Sequence, residues 1–332
     1  MTGVDDRAAG ALYGLAVGDA LGMPTQSFSR ATIVARFGSL LDGFHGGPPD
    51  QPIAPGLAVG TVTDDTEQAL LLARLLLDGD GVIDAQEWAR RLLRWEDDMR
   101  ARGSLDLLGP STRRALAELL DGGDPAQTGR FGDTNGAAMR IAPVGIATPP
   151  YDLDVLVDAV VAASAVTHNT GIALAGASAV ATAVSAAVDG AALPDVIERA
   201  LAAAELAQTR GHWTAGAHVV DRIVAALDAV DGLAPTDALD VIDAQVGTGL
   251  RANESVPAAF AVLRVADGDV WLTCRLGASV GGDCDTIAAM AGAVAGALTG
   301  ASALPPSALT ALRGAEGIDD LAAGLLALRA RR

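Results

Sequence analysis

Two short acidic strings hold the side chains most able to do chemistry: Thr63-Asp64-Asp65-Thr66 near the front and Asp283-Cys284-Asp285-Thr286 near the back, each opening onto an apolar run. Their carboxylate and hydroxyl oxygens are hard donors that suit magnesium, manganese or calcium, whereas softer metals favour Cys and His, of which only Cys284 is present in either string. If the strings meet in space, they form a divalent-metal site assembled from both ends of the fold. A plainer reading is a pair of helix caps. Asp64 stands three residues before Glu67, a capping-box spacing. A cap needs one acid, however, and adjacent carboxylates repel, so Asp64 beside Asp65 and Asp283 two residues before Asp285 ask for more than capping.

Other strings offer ligand-binding groups. Gly132-Asp133-Thr134-Asn135-Gly136 puts an acid, a hydroxyl and an amide at a turn before a helical segment. Exposed backbone N–H groups there, with Asn135 able to donate and accept, suit a ligand's hydroxyls or phosphates. An ordinary loop cap would use the same residue types. His168, in Thr167-His168-Asn169, lies within an apolar stretch, where an imidazole is either a satisfied core group or part of a cavity wall. His45, His212 and His218 fall at no metal-ligand spacing. Gly247-Thr248-Gly249-Leu250-Arg251-Ala252 lacks the strand–helix–strand setting of a dinucleotide fingerprint. Every basic side chain except histidine is Arg, so lysine chemistry is closed, and no GxSxG elbow or P-loop occurs.

These groups must be positioned by helices. Apolar periodicity predicts them over 69–77, 88–95, 113–120, 153–165, 172–188, 196–207, 217–230 and 286–298, and no alternating pattern recurs as a strand ladder would. The expected fold class is all-α, in one domain over 1–332. Glycines at every fourth position, Gly10, Gly14, Gly18 and again Gly292, Gly296, Gly300, leave bare helix faces that let two backbones approach closely. The Gly/Pro-rich stretch 43–60 is long for a loop and is expected to cover the site. Residues 170–188 are uncharged and long enough to span a membrane, but their Ala, Gly, Ser and Thr content fits a buried helix better. The formal charge of −18 disfavours a nucleic-acid or anionic-lipid surface. Two cysteines in no paired pattern, with no basic leader at the N-terminus, point to a reducing, cytoplasmic setting.

Taken in order, Gly18-Asp19-Ala20-Leu21-Gly22, the 63–66 string, Asn135-Gly136-Ala137-Ala138-Met139-Arg140, Thr167-His168 and Gly282-Asp283-Cys284-Asp285-Thr286 resemble the ADP-ribosylglycohydrolases. The resemblance implies an all-α single domain holding two Mg2+ ions, or Mn2+, in a cleft. The implied activity is hydrolysis releasing ADP-ribose from a modified protein side chain or a small ADP-ribosyl or ribosyl conjugate. It implies Thr63, Asp64 and Asp65 as metal ligands from one side and Asp283, Asp285 and Thr286 from the other. Gln26, Asn135, Gly136, His168 and Ser255 are expected on the substrate side. Asp65 or a neighbouring ligand carboxylate is the expected proton acceptor from water. Many relatives carry Glu where this chain has Gln26, and Gln cannot exchange a proton near neutral pH. Asp133 is then a candidate compensating acid; a ribosyl-metabolite hydrolase and a catalytically silent ADP-ribose-binding protein are the alternatives.

Overall fold

The computed structural model describes residues 3–103 and 108–332. Sixteen α-helices run through them: α1 (Val4–Gly22), α2 (Arg30–Phe37), α3 (Asp64–Asp78), α4 (Ala85–Arg102), α5 (Pro110–Leu120), α6 (Ala142–Ala147), α7 (Leu153–Ser164) and α8 (Gly171–Val188). The second half holds α9 (Leu193–Ala207), α10 (Val219–Val230), α11 (Pro235–Val241), α12 (Ala252–Val265), α13 (Val270–Ser279), α14 (Cys284–Thr299), α15 (Pro306–Ala311) and α16 (Ile318–Arg329). Among the described residues, β pairing is limited to isolated bridges, so the all-α expectation is met.

Each run predicted from periodicity lies within or overlaps one of these helices. Periodicity did not reveal α12, which carries Pro257 inside it. Proline removes the N–H that would reach the carbonyl four residues back. Here that carbonyl, Asn253 O, is served instead by Arg222 Nε from α10 at 3.2 Å. A long-range bond replaces the local one, which no local pattern could foretell.

Helix α8 sits at the centre, with every residue buried. It has the length and composition of a membrane span, and in this fold the whole of it is enclosed by protein. Against this core lie α1 and α14, paired along the two glycine stripes. A Cβ on Gly10 would fall on the carbonyl oxygen of Gly296, one on Gly14 on that of Gly292, and one on Gly18 on that of Ala288. The stripes therefore do what their spacing suggests: they bring two backbones to a separation that any side chain would forbid. The line continues to Gly22, whose missing Cβ leaves room for the backbone of Asp285. Thus the end of α1 is seated directly on the start of α14.

Candidate metal centre and cleft

The first acidic string is held from upstream. Asp19, fully buried on α1, accepts hydrogen bonds from Thr63 N (2.9 Å), Thr63 Oγ1 (2.8 Å), Thr66 N (3.1 Å) and Thr66 Oγ1. It caps α3 across the fold, since the N-cap residue Thr63 makes no side-chain cap bond of its own. Neither Asp64 nor Asp65 is needed for capping, so the plainer reading fails at this string.

The second string is placed by its own backbone. Gly281 and Gly282 both adopt positive φ, and a Cβ on Gly281 would crowd Arg30 N while one on Gly282 would strike Thr248. This tight turn lets Ser27 N bond to Gly282 O (2.7 Å), Gly282 N to Phe28 O (2.9 Å) and Asp283 N to Thr248 O (2.8 Å). The residues after α1 and before α12 are thereby stapled to the start of α14.

The strings meet. Thr286 Oγ1 lies 3.4 Å from Asp65 Oδ2, across 221 residues of sequence. Asp64, Asp283, Asp285 and Thr286 share the wall of a cleft of about 390 Å³ with Gln26, Thr134, Asn135 and Gly136. Thr63 and Asp65 are buried behind it. Asn135 is aimed by two staples, Asn135 N to Leu250 O (2.9 Å) and Ala252 N to Asp133 O (3.1 Å). Its Nδ2 reaches both Ser255 Oγ (3.0 Å) and Asp283 Oδ2. The 43–60 segment is pinned nearby: Gln51 Nε2 donates to Gln26 O (2.9 Å), and Ile53 reaches the cleft wall.

Five carboxylates, Asp19, Asp64, Asp65, Asp283 and Asp285, crowd this region. Burial drives Asp64, Asp65 and Asp285 well above the usual carboxylate range, and neighbouring carboxylates add to the rise. Asp19 is pushed up to about 6 by burial against the pull of its Thr66 and Thr63 bonds. Burial likewise takes Asp283 to about 6, tempered by bonds from Asn135 and Thr286. Two oxygens, Asp65 Oδ1 and Asp285 Oδ1, are buried with no hydrogen-bond partner. Among the described residues no three Asp, Glu, His or Cys side chains already close round one point. What the cleft does provide is hard oxygen donors, unpaired lone pairs and excess negative charge, a set that fits a magnesium-type cation.

One buried cation faces this charge through intermediaries. Arg140, fully buried, donates from Nη1 to Gln68 Oε1, and Gln68 Nε2 donates to Asp64 Oδ2 at 3.2 Å. Its Nη2 reaches Thr167 Oγ1, which contacts His168 Nδ1 (2.8 Å), and His168 Nε2 in turn pairs with Thr134 Oγ1 (2.9 Å). Burial lowers Arg140 to about 10, opposed by Asp64. It also lowers His168 well below 6.5, helped by Arg140 and Arg114, so the ring is neutral.

Three expectations need correction. Asp133 is turned away from the cleft, its Oδ2 bound by Arg251 Nη2 at 2.6 Å, so it is not placed to act there as an acid. His168 does not line the pocket; both ring nitrogens are occupied by hydroxyls, and it fills the space behind Gly136, where a Cβ would collide with it. Ser255 is fully buried behind Asn135 and orients that amide rather than facing the cleft. Asp19 and the Gln68–Arg140 pair were missed. An acid inside a glycine-lined apolar face is a readable signal for Asp19. Arg140 has none beyond its place at the end of the Asn135–Arg140 string.

The sequence model of the ADP-ribosylglycohydrolase family matches residues 1–332. The chain belongs to that family. Among its relatives, the uncharacterized protein YegU of Escherichia coli (strain K12) is 38% identical over 303 residues, 91% of this chain and 90% of YegU. The ADP-ribosyl-[dinitrogen reductase] glycohydrolase of Rhodospirillum rubrum is 35% identical over 172 residues, 51% of this chain and 54% of that protein. A solved structure described as an ADP-ribosylglycohydrolase-related protein complex superposes with a TM-score of 0.72 at 30% identity, covering 99% of both chains. As an ADP-ribosylglycohydrolase family member, the chain is a hydrolase of the class that acts on ADP-ribosyl conjugates.

Proposed function

We propose that this protein is a divalent-metal-dependent hydrolase that breaks the bond between the anomeric carbon of ADP-ribose and a modified side chain or small conjugate. The observation that carries the reading is the convergence of Asp64, Asp283, Asp285 and Thr286 on one cleft wall, with the partnerless Asp285 Oδ1 among them and Asp65 Oδ1 behind. The name of the Rhodospirillum relative, a glycohydrolase of an ADP-ribosylated protein, accords with it.

Thr63, Asp64, Asp65, Asp283, Asp285 and Thr286 would hold the cation, Mg2+ or Mn2+. When bound, it would orient ribose hydroxyls and make water a better nucleophile. The chain's own residues do the rest. Asn135, held by Ser255, keeps the Asp283 carboxylate turned as it is; Gly136, on the cleft wall, has no side chain and so leaves the space behind it to His168. Asp65 is beside the site with one oxygen unengaged and is the favoured acceptor of water's proton. The carboxylates also stabilise positive charge developing at an oxocarbenium-like anomeric carbon.

The test is hydrolysis of protein- and small-molecule-linked ADP-ribose by the purified chain, with and without 10-fold excess chelator, alongside calorimetric titration of Mg2+. Metal-dependent release of ADP-ribose is expected. Release that persists in chelator, or no Mg2+ binding at all, would refute the metal assignment.

A further inference from the structure

Behind one wall of the cleft runs a series of hydrogen bonds that starts on a buried cation and ends on a hydroxyl at the ligand space. Arg140 is completely buried, and its guanidinium lies over the Trp88 ring, 5.3 Å from the centroid. Its planar fork branches, with Nη1 donating to Gln68 Oε1 and Nη2 to Thr167 Oγ1. Thr167 Oγ1 and His168 Nδ1 are 2.8 Å apart, and His168 Nε2 and Thr134 Oγ1 are 2.9 Å apart. The ring is wedged against Gly136, where a Cβ would come within 2.7 Å of its Cε1. Thr134 is pinned by a backbone bridge to Arg251, and it lines the cleft.

The direction of each bond follows from the cation. A guanidinium only donates, so Thr167 Oγ1 accepts from Arg140 and keeps its own hydrogen to place. The lone pair of His168 Nδ1 takes that hydrogen. Were Nδ1 the protonated nitrogen, two donors would converge on Thr167 Oγ1, and the positive field of Arg140 would oppose an N–H aimed at it. His168 is fully buried and neutral, held well below the usual 6.5 by burial and by Arg140, so it carries a single ring hydrogen. That hydrogen sits on Nε2, which donates to Thr134 Oγ1. The hydroxyl hydrogen of Thr134 is therefore not spent on the imidazole.

Resting on the hydrolase reading above and deepening it, we propose that Thr134 is a ligand-binding residue of this cleft, a hydrogen-bond donor whose direction Arg140 sets through Thr167 and His168. It receives an oxygen that accepts, carried either by the nucleotide part of the bound conjugate or by its leaving group, and offers no match to a group that must donate there. The imidazole does not meet the ligand itself; it decides which way the Thr134 hydrogen points. Arg140 is thus a positioning residue for both sides of the cleft, since its other branch reaches Asp64 through Gln68. Lysine would not serve, because a single ammonium lacks the rigid fork that reaches both branches. Serine at position 134 would keep the donor and valine would remove it at similar volume, which separates the hydroxyl's role from packing.

Two measurements on the full chain with Mg2+ test this. In nitrogen NMR of the histidine rings, the buried His168 is expected as the neutral Nε2–H tautomer; an Nδ1–H tautomer reverses the bonds along the series and overturns the inference. The parent is then compared with Thr134→Val and Thr134→Ser, by calorimetric titration of ADP-ribose and by kcat and KM on protein- and small-molecule-linked ADP-ribose. The valine variant is expected to lose about 10-fold in ADP-ribose affinity or to raise KM about 10-fold, the worth of one donor, with kcat changed by less than about 3-fold. Serine is expected to stay within about 3-fold of the parent in both. A loss seen with ADP-ribose puts the accepting oxygen on the nucleotide part, and a rise in KM alone puts it on the leaving group. Valine equal to the parent in both measurements, or serine as weak as valine, overturns the inference and leaves the hydrolase reading standing. ADP-ribose bound with the expected loss in valine, but no conjugate hydrolysed, overturns the hydrolase reading and keeps the donor. Neither binding nor turnover in the parent overturns both.

Discussion

Asp19 shows how a single carboxylate can free others for function. By accepting four bonds from Thr63 and Thr66, it satisfies the start of α3 and leaves Asp64 and Asp65 with lone pairs to spare. The two roles predict opposite phenotypes. Asp64→Asn and Asp283→Asn each remove one negative charge from a crowded group and leave a similar volume, so the metal-free melting temperature should hold or rise while Mg2+ affinity drops by at least about 10-fold. Asp19→Asn should lower the melting temperature, because an amide cannot accept from all four donors; a loss of roughly 1–3 kcal/mol is expected. Thermal melts in chelator and Mg2+ calorimetry on the three variants separate the roles. A destabilised Asp64→Asn or Asp283→Asn with unaltered Mg2+ affinity would return those acids to a purely structural role.

At the level of elements, α1 and α14 are a matched pair whose contact ends at the site. Gly14 faces Gly292 in mid-helix, far along the stripe, whereas Gly22 abuts the backbone of Asp285. Overpacking a tight interface typically costs 1–3 kcal/mol, which outweighs the ~1 kcal/mol that alanine gains over glycine within a helix. Gly14→Ala and Gly22→Ala should therefore both destabilise the fold. Only Gly22→Ala should also weaken Mg2+ binding, since the displaced atoms belong to a candidate ligand. Equal Mg2+ affinity in the two variants would disconnect the helix seam from the site. The stripes were readable from the fourfold spacing of glycine alone. Their continuation to Asp285 was not, because Gly22 meets it only after α14 has been laid on α1.

The whole molecule carries a formal charge of −18, and five of its acids are gathered in one place. For Asp19 and Asp283 the folded value is raised to about 6 from a usual 3.8, and burial together with neighbouring carboxylates raises Asp64, Asp65 and Asp285 well above that usual value. A raised acid favours the folded state when protonated. That contribution is complete below about pH 4; it is lost as pH climbs through 6 for Asp19 and Asp283, and for the other three as pH climbs through their own raised values. His168 works the other way below 6.5, one group against five. The metal-free protein should accordingly melt at a lower temperature at pH 7.5 than at pH 6, and millimolar Mg2+ should reverse the difference by binding the ionised acids of the folded state. Scanning calorimetry at both pH values, in chelator and in Mg2+, checks this; a melting temperature in chelator that rises with pH would contradict the crowding of these acids.

Fold class, the helical runs and the hard-oxygen character of the site were legible in the chain because each depends on residue type and near spacing: apolar period, bare glycine faces, adjacent Asp and Thr. Direction and partnership were not. Asp133 and Asp64 look alike as letters, yet Arg251 draws one outward while Asp19 takes over the capping that would have occupied the other. His168 reads as a pocket residue until Thr134 and Thr167 are found on its two nitrogens. Which lone pairs stay free is set by contacts between segments that may lie more than two hundred residues apart, as Asp65 and Thr286 do. Such contacts exist only once α1, α3 and α14 have packed together.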